Sequence, residues 1–275
     1  MLFNKIKEKS VEKNIIDFYK KTSSKKRFLN VMKFCEYIST EQKARYDHWI
    51  VNPVLEKKYD PFALYSVMKL FTDKIVFDNI RYIIESNKER TNNEDYLGSD
   101  FNSYFKANND EMYEILTNIK EIRLPDEKEL IVRLGKDPII THPRTLKKLD
   151  DKFVEFSSDK KPWIEQTDQK CLQHIKLYLP MGLSIVVKNG NHSVSLGMVK
   201  SDGIITIDNK VLTDGEAKNK VLNMSALYDL IEFDGEHFVK RKSKKRMTNS
   251  VCFEFGVAFE IGRLIHNSPV KYFEV

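Results

Sequence analysis

Cysteine is scarce in this 275-residue chain, and Cys35, Cys171 and Cys252 stand far apart without a C-x-x-C pair. That spacing excludes a disulfide framework and a zinc knuckle; reduced, mostly buried thiols are expected. No apolar run approaches the roughly 20 residues that a membrane-spanning helix needs. The opening stretch, Met1-Leu2-Phe3-Asn4-Lys5-Ile6-Lys7-Glu8, turns charged too early for a secretory signal. A cytoplasmic protein with no membrane partner is expected. The chain also lacks an H-E-x-x-H helix, a G-x-S-x-G elbow, a dinucleotide-binding glycine fingerprint and a kinase signature set. Zinc proteolysis and hydride transfer are therefore poor readings. Charge of one sign is not in large excess: 46 basic residues face 40 acidic ones, net +6. Net charge alone is a weak argument for a nucleic-acid partner.

What is present fits a globular protein, with 41% hydrophobic and 31% charged residues and enough length for one large domain or two modest ones. From about residue 10 to 118 the apolar spacing is helical, as in Phe28, Val31, Met32, Cys35 and Ile38, then Leu64, Val67, Met68 and Phe71. Residues 1–118 are read as a helical lobe. From Ile119 the rhythm shifts to short extended segments: Ile119 to Leu124, Pro138 to Ile140, Leu183 to Val187 and Gly203 to Ile207. Residues 119–275 are read as a mixed α/β domain, which makes the whole chain α+β. Within it, Leu146, Leu149 and Phe153 mark one helix, which His142-Pro143-Arg144 enters through a turn. Cys171, Leu172, Ile175 and Leu179 mark a second, capped by Thr167 or Asp168 and stopped by Pro180.

The last third contains a hairpin signal, Leu227 to Phe233, Asp234-Gly235, Glu236 to Val239. A basic run follows, with Lys240, Arg241, Lys242, Lys244, Lys245 and Arg246 as candidate nucleic-acid contacts. Val251 to Ile265 then reads as a helix apolar on nearly every side. Within it, Glu260 and Arg263 share a face at i and i+3. They form either an internal ion pair that anchors the helix or a cation delivered to a ligand.

The junction with the most chemistry is Leu183-Ser184-Ile185-Val186-Val187-Lys188-Asn189-Gly190-Asn191-His192-Ser193, a β-branched strand running through a glycine turn into a helix. A strand that ends in glycine turns sharply, and the first amides of the next helix point outward with the positive end of its dipole. Two readings follow. Gly190, Asn191, His192 and Ser193 cradle a phosphate, or Asn191 or Ser193 caps the helix and His192 bonds locally. The turn lacks the lysine of a P-loop. Glu165 and Asp168, with His174 or His192, are candidates for an acid/base pair or a divalent-ion site.

The order helix, Pro180-Met181-Gly182, strand, Asn189-Gly190-Asn191-His192, helix resembles the core of the ParB/sulfiredoxin superfamily over roughly residues 119–215. Asn189-Gly190-Asn191-His192-Ser193, Trp163 and the late Phe259-Glu260-Ile261-Gly262-Arg263-Leu264 are similar to an uncharacterised bacterial family, a domain of unknown function met in mobile-element and defence contexts. The superfamily resemblance implies nucleotide binding at the turn, with a nucleoside triphosphate and Mg²⁺ as cofactors in some branches, and phosphoryl or phosphodiester chemistry in others. Sulfiredoxins carry a cysteine where this chain has Asn191, which excludes their repair reaction, and an arginine where it has Ser193. Arg263 would then be the phosphate-binding cation. The expected function is binding of a nucleotide or nucleic-acid phosphate at the Gly190 turn, with catalysis left open. The alternative is a non-catalytic protein-interaction module in which the turn is only structural.

Overall fold

A computed structural model describes residues 17–49, 62–86, 101–105, 110–155, 174–187, 189–208, 219–248 and 252–268. After a helical segment at 17–21 come two long helices, α1 (Ser24–Trp49) and α2 (Phe62–Ser86), then a 3-10 turn at Phe101–Phe105 and the short α3 (Asp110–Leu116). Strands β1 (Lys120–Ile122), β2 (Leu130–Arg133) and β3 (Ile139–Ile140) lead to α4 (Leu146–Glu155). Next come β4 (Ile175–Leu179), β5 (Leu183–Val186), α5 (Asn191–Lys200), β6 (Ile204–Ile207) and β7 (Lys220–Asn223). The chain closes with α6 (Leu227–Leu230), β8 (Ile231–Phe233), β9 (Phe238–Lys240) and α7 (Phe253–Asn267).

The fold is mixed α+β. Its main sheet has the order β1-β7-β4-β5-β3, with β4–β7 and β3–β5 parallel and β1–β7 and β4–β5 antiparallel. Strands β2 and β6 form a separate antiparallel pair, and β8 and β9 form the expected hairpin. Side chains alternate across the sheet, as the period of two requires. Tyr178, Leu183 and Ile185 face one core, built with Leu64 and Met68 of α2, Phe101 and Phe105 of the 3-10 turn, and Phe255 and Phe259 of α7. Leu177, Val186 and Val221 face a second core, built with Leu149 of α4, Val194 of α5, and Val132 and Ile205 of the β2–β6 pair. Helix α2 enters both cores, through Leu64 and Met68 on one side and Val76, Ile80 and Ile83 on the other.

The helix expected to end at Pro180 is a correction. Residues 175–179 form a strand at the centre of the sheet, between β5 and β7. Ile175 and Leu179 meet the helical spacing, but Leu177 and Tyr178 are also buried, and a strand covered on both faces reads as a continuous apolar run. The Cys171 and Leu172 part of that expectation lies outside the described residues. At Leu227–Leu230 the chain makes a helical turn, so the hairpin begins only at Ile231. Strands β2 and β7 were not anticipated. In β2 the burial alternates over Leu130, Ile131, Val132 and Arg133, a pattern short enough to pass as loop.

Candidate functional site

The edge strand β3 and its parallel neighbour β5 send their carboxyl ends to the same side of the sheet, where each leads into a helix. In open α/β sheets that rim is where ligands bind. From β5 the ladder continues past Val186, with Val187 N–H donating to His174 O (2.9 Å) and His174 N–H to Asn189 O (3.3 Å). The chain then turns at Gly190, whose φ of 96° is open to glycine and costly for a side chain. Val194 N–H donates to Gly190 O (2.8 Å) to begin α5, whose N-cap, being glycine, offers no side-chain bond.

Asn191 ties this turn to the loop after β3. Its Oδ1 accepts the backbone N–H of His142 (2.6 Å), and its carbonyl accepts the Ser195 hydroxyl (2.6 Å). Ser195 Oγ also meets Thr141 Oγ1 at 2.5 Å. His142 Nε2 meets the Tyr104 hydroxyl at 2.5 Å. These five residues are buried, so solvent does not substitute for any of the bonds.

His192 reaches across to the start of α4. Its Nε2 accepts the N–H groups of Arg144 (3.2 Å) and Thr145 (3.4 Å), which requires an unprotonated nitrogen. Burial pushes the imidazole down to about 4, and the positive charges of Lys148, Arg144 and Lys152 push it the same way. His192 is therefore neutral at neutral pH and acts as a cap on α4. Thr145 completes that cap, its Oγ1 accepting from Lys148 N–H (3.4 Å) and its carbonyl from Leu149 N–H (3.1 Å). Two helix starts thus lie side by side, one closed by His192 and Thr145 and the other begun by Gly190.

The other candidates lie elsewhere. Arg263 holds Glu260 through Nε (2.7 Å to Oε2) and Nη2 (3.1 Å to Oε1), while Nη1 donates to Tyr228 O and Nη2 to Ile231 O (2.6 Å). Glu260 Oε1 in turn accepts Phe233 N–H (2.8 Å). This pair rivets α7 to α6 and the hairpin. In the basic run, Lys240 and Lys245 both reach Glu111, Lys244 reaches Glu232 (2.5 Å), Arg241 lies 3.5 Å from Asp229, and Arg246 Nε donates to Thr248 O (2.7 Å). Lys242 lines an open groove of about 570 Å³ with Glu111, Glu114 and Asp229. Most of the run is balanced by acidic side chains. Glu165, Asp168, Trp163 and Lys188 lie outside the described residues. Among the described residues no group of three His, Cys, Asp or Glu side chains is placed to hold a metal ion. Burial pushes the Cys35 and Cys252 thiols up to about 12, as expected of unreactive thiols.

From sequence, Arg144 reads as a turn residue that could also reach a ligand at the Gly190 turn, and Lys148 and Lys152 go unmarked. Part of the signal was there: Lys148 and Lys152 are spaced by four, which aligns them along one face of α4, while Arg144 lies in the loop two residues before that helix. The roles of Tyr104 and His142 depend on contacts across 38 and 49 positions and left no local trace.

A family model matches residues 13–272. The chain belongs to DUF6710, a family of unknown function. The match takes in α1 and α2 as well as the sheet and α7, so DUF6710 is defined by the helical part and the α/β part together. No curated protein and no solved structure is detectably similar to the chain. The order that carried the likeness to ParB and sulfiredoxin cores is not met, because β4 stands where the leading helix was expected, and neither the family match nor any solved structure supports that likeness. Among the described residues no helix is long and apolar enough to cross a membrane.

Proposed function

We propose that the Gly190 turn binds a phosphate-bearing ligand, a nucleotide or a nucleic-acid phosphate. The observation that carries this reading is a convergence of positive potential. The N-cap of α5 is Gly190, which has no side chain to cap the helix, and Arg144, Lys148 and Lys152 stand close enough to His192 to lower its proton affinity. Arg144 and Lys148, both exposed, take the cationic role first expected of Arg263. His192 and Asn191 hold the turn in shape, and no residue is assigned a chemical step.

A thermal-shift screen tests this. ATP, CTP, GTP, their diphosphates and a short DNA duplex are each added with and without Mg²⁺, because a ligand that binds only the folded state raises the melting temperature. The reading expects a shift that disappears in Ser193→Glu, where a carboxylate enters the first turn of α5.

The second reading, a protein-interaction module, is favoured by a separate observation. Leu70, Phe77 and Ile84 recur every seven residues along α2 and are 70%, 39% and 51% exposed. The absence of a shift with every phosphate compound would move the assignment to this surface.

A further inference from the structure

We infer that Tyr104 is a positioning residue for the Gly190 turn, an inference that rests on reading that turn as a phosphate site. Tyr104 belongs to the 3-10 turn Phe101–Phe105, far in sequence from the turn it serves. Its ring stacks on Phe255 of α7 with centroids 4.5 Å apart and an interplanar angle of 22°. Its hydroxyl leaves this aromatic cluster to meet His142 Nε2 at 2.5 Å. The His142 backbone N–H donates to Asn191 Oδ1 at 2.6 Å, and Asn191 is the first residue of α5. The Thr141–Ser195 contact and the bond from Ser195 to Asn191 O close the chain from the other side.

Three physical points make this a positioning device. Tyr104 and Thr141 are fully buried, His142 is 1% exposed and Asn191 6%, so a lost bond is not replaced by water. Pro143 follows His142 and restricts its backbone to extended conformations, so a shift of the ring is carried into the loop and not absorbed locally. Asn191 then fixes the direction in which the amides of residues 191–193 point. A displacement below the turn therefore misaims the donors above it, at a site where small errors in geometry weaken binding.

The test compares three variants in the full chain. Tyr104→Phe deletes the hydroxyl and keeps the ring on Phe255. His142→Leu removes the same bond from the other side. Phe101→Leu perturbs the same 3-10 turn, where Phe101 stacks on Tyr178 at 4.2 Å, but lies outside the polar chain. The probe is inorganic pyrophosphate titrated by calorimetry, with amide hydrogen exchange read at His142 and residues 192–194. Tyr104→Phe and His142→Leu are expected to weaken pyrophosphate binding about tenfold and speed exchange at the His142 amide about tenfold. Phe101→Leu is expected to lower the melting temperature and leave affinity within twofold of wild type. Unchanged exchange at His142 in Tyr104→Phe overturns the inference, as does equal loss of affinity in Phe101→Leu. If Tyr104→Phe does not fold, His142→Leu decides by the same two readouts. Failure of the wild type to bind pyrophosphate removes the phosphate reading, while the exchange measurement still decides whether Tyr104 holds the turn.

Discussion

Arg263 and Arg144 show two uses of one side chain. Arg263 is almost enclosed, its side chain 11% exposed against a Glu260 side chain at 9%, and its guanidinium meets one carboxylate and two backbone carbonyls. Arg144 is exposed in the loop before α4 and, with Lys148 and Lys152, is one of the positive charges that act on His192. The first arrangement is saturated and holds helix to hairpin. The second places three positive charges near His192, beside two helix starts. Arg263 holds the fold together, and Arg144 with Lys148 gives the surface beside the Gly190 turn a positive charge.

The comparison breaks most sharply at Arg263. Arg263→Ala leaves Glu260 buried without its partner, and urea denaturation should show a loss of about 3–5 kcal/mol. Binding of pyrophosphate per folded molecule should not change. A variant that loses ligand affinity but keeps its stability would reverse the roles assigned to the two arginines.

Ser193→Glu is expected to lower pyrophosphate affinity by about a hundredfold or more, roughly 2.7 kcal/mol, by calorimetry. Its stability should hold or rise slightly, since a carboxylate in the first turn of a helix suits the dipole. Opposite signs in one substitution separate a ligand site from a structural cap.

Acid acts on His192. Its folded value of about 4 lies below the 6.5 of the free side chain, so the unfolded chain binds the extra proton first. The stability contributed by neutral His192 is complete above about pH 6.5, falls as pH drops toward 4 and is flat below that. The loss is about 2–3 kcal/mol once solvent screening of the surface cations is discounted. Carboxylates titrate in the same window, so the measurement is the difference between wild type and His192→Gln in urea denaturation at pH 7, 5.5 and 4.5. Saturating pyrophosphate should reduce that difference by neutralising the three cations.

The smallest effect belongs to the basic run. Lys242→Glu should change affinity for a short DNA duplex by less than threefold in fluorescence anisotropy, because most of its neighbours are already paired with Glu111, Glu232 and Asp229.

Much of the architecture was legible in the residues. The Asp234-Gly235 turn marked the hairpin, the unbroken apolar face of residues 253–265 marked the buried helix, and the β-branched run before Gly190 marked β5. Strand β4 was misread because its apolar residues satisfy helical and extended spacing alike, and burial on both faces is a property of the finished sheet. At the site, Gly190 and the start of α5 were legible since the conformation of a glycine turn is local. What His192 accepts was not, because Arg144 and Thr145 lie 48 and 47 positions away and meet it only once β3 and β5 pair. Glu260 and Arg263 could be recognised as an odd couple among apolar neighbours. Their saturation by the carbonyls of Tyr228 and Ile231 could not.

The central claim is that an anion sits between the two helix starts. The most direct measurement is a titration of the wild-type protein with inorganic pyrophosphate, followed residue by residue through backbone amide chemical shifts. The account predicts saturable changes concentrated at residues 191–193 and 144–148, lost in Ser193→Glu. Changes scattered over surface lysines, or centred on the basic run at 240–246, would contradict it.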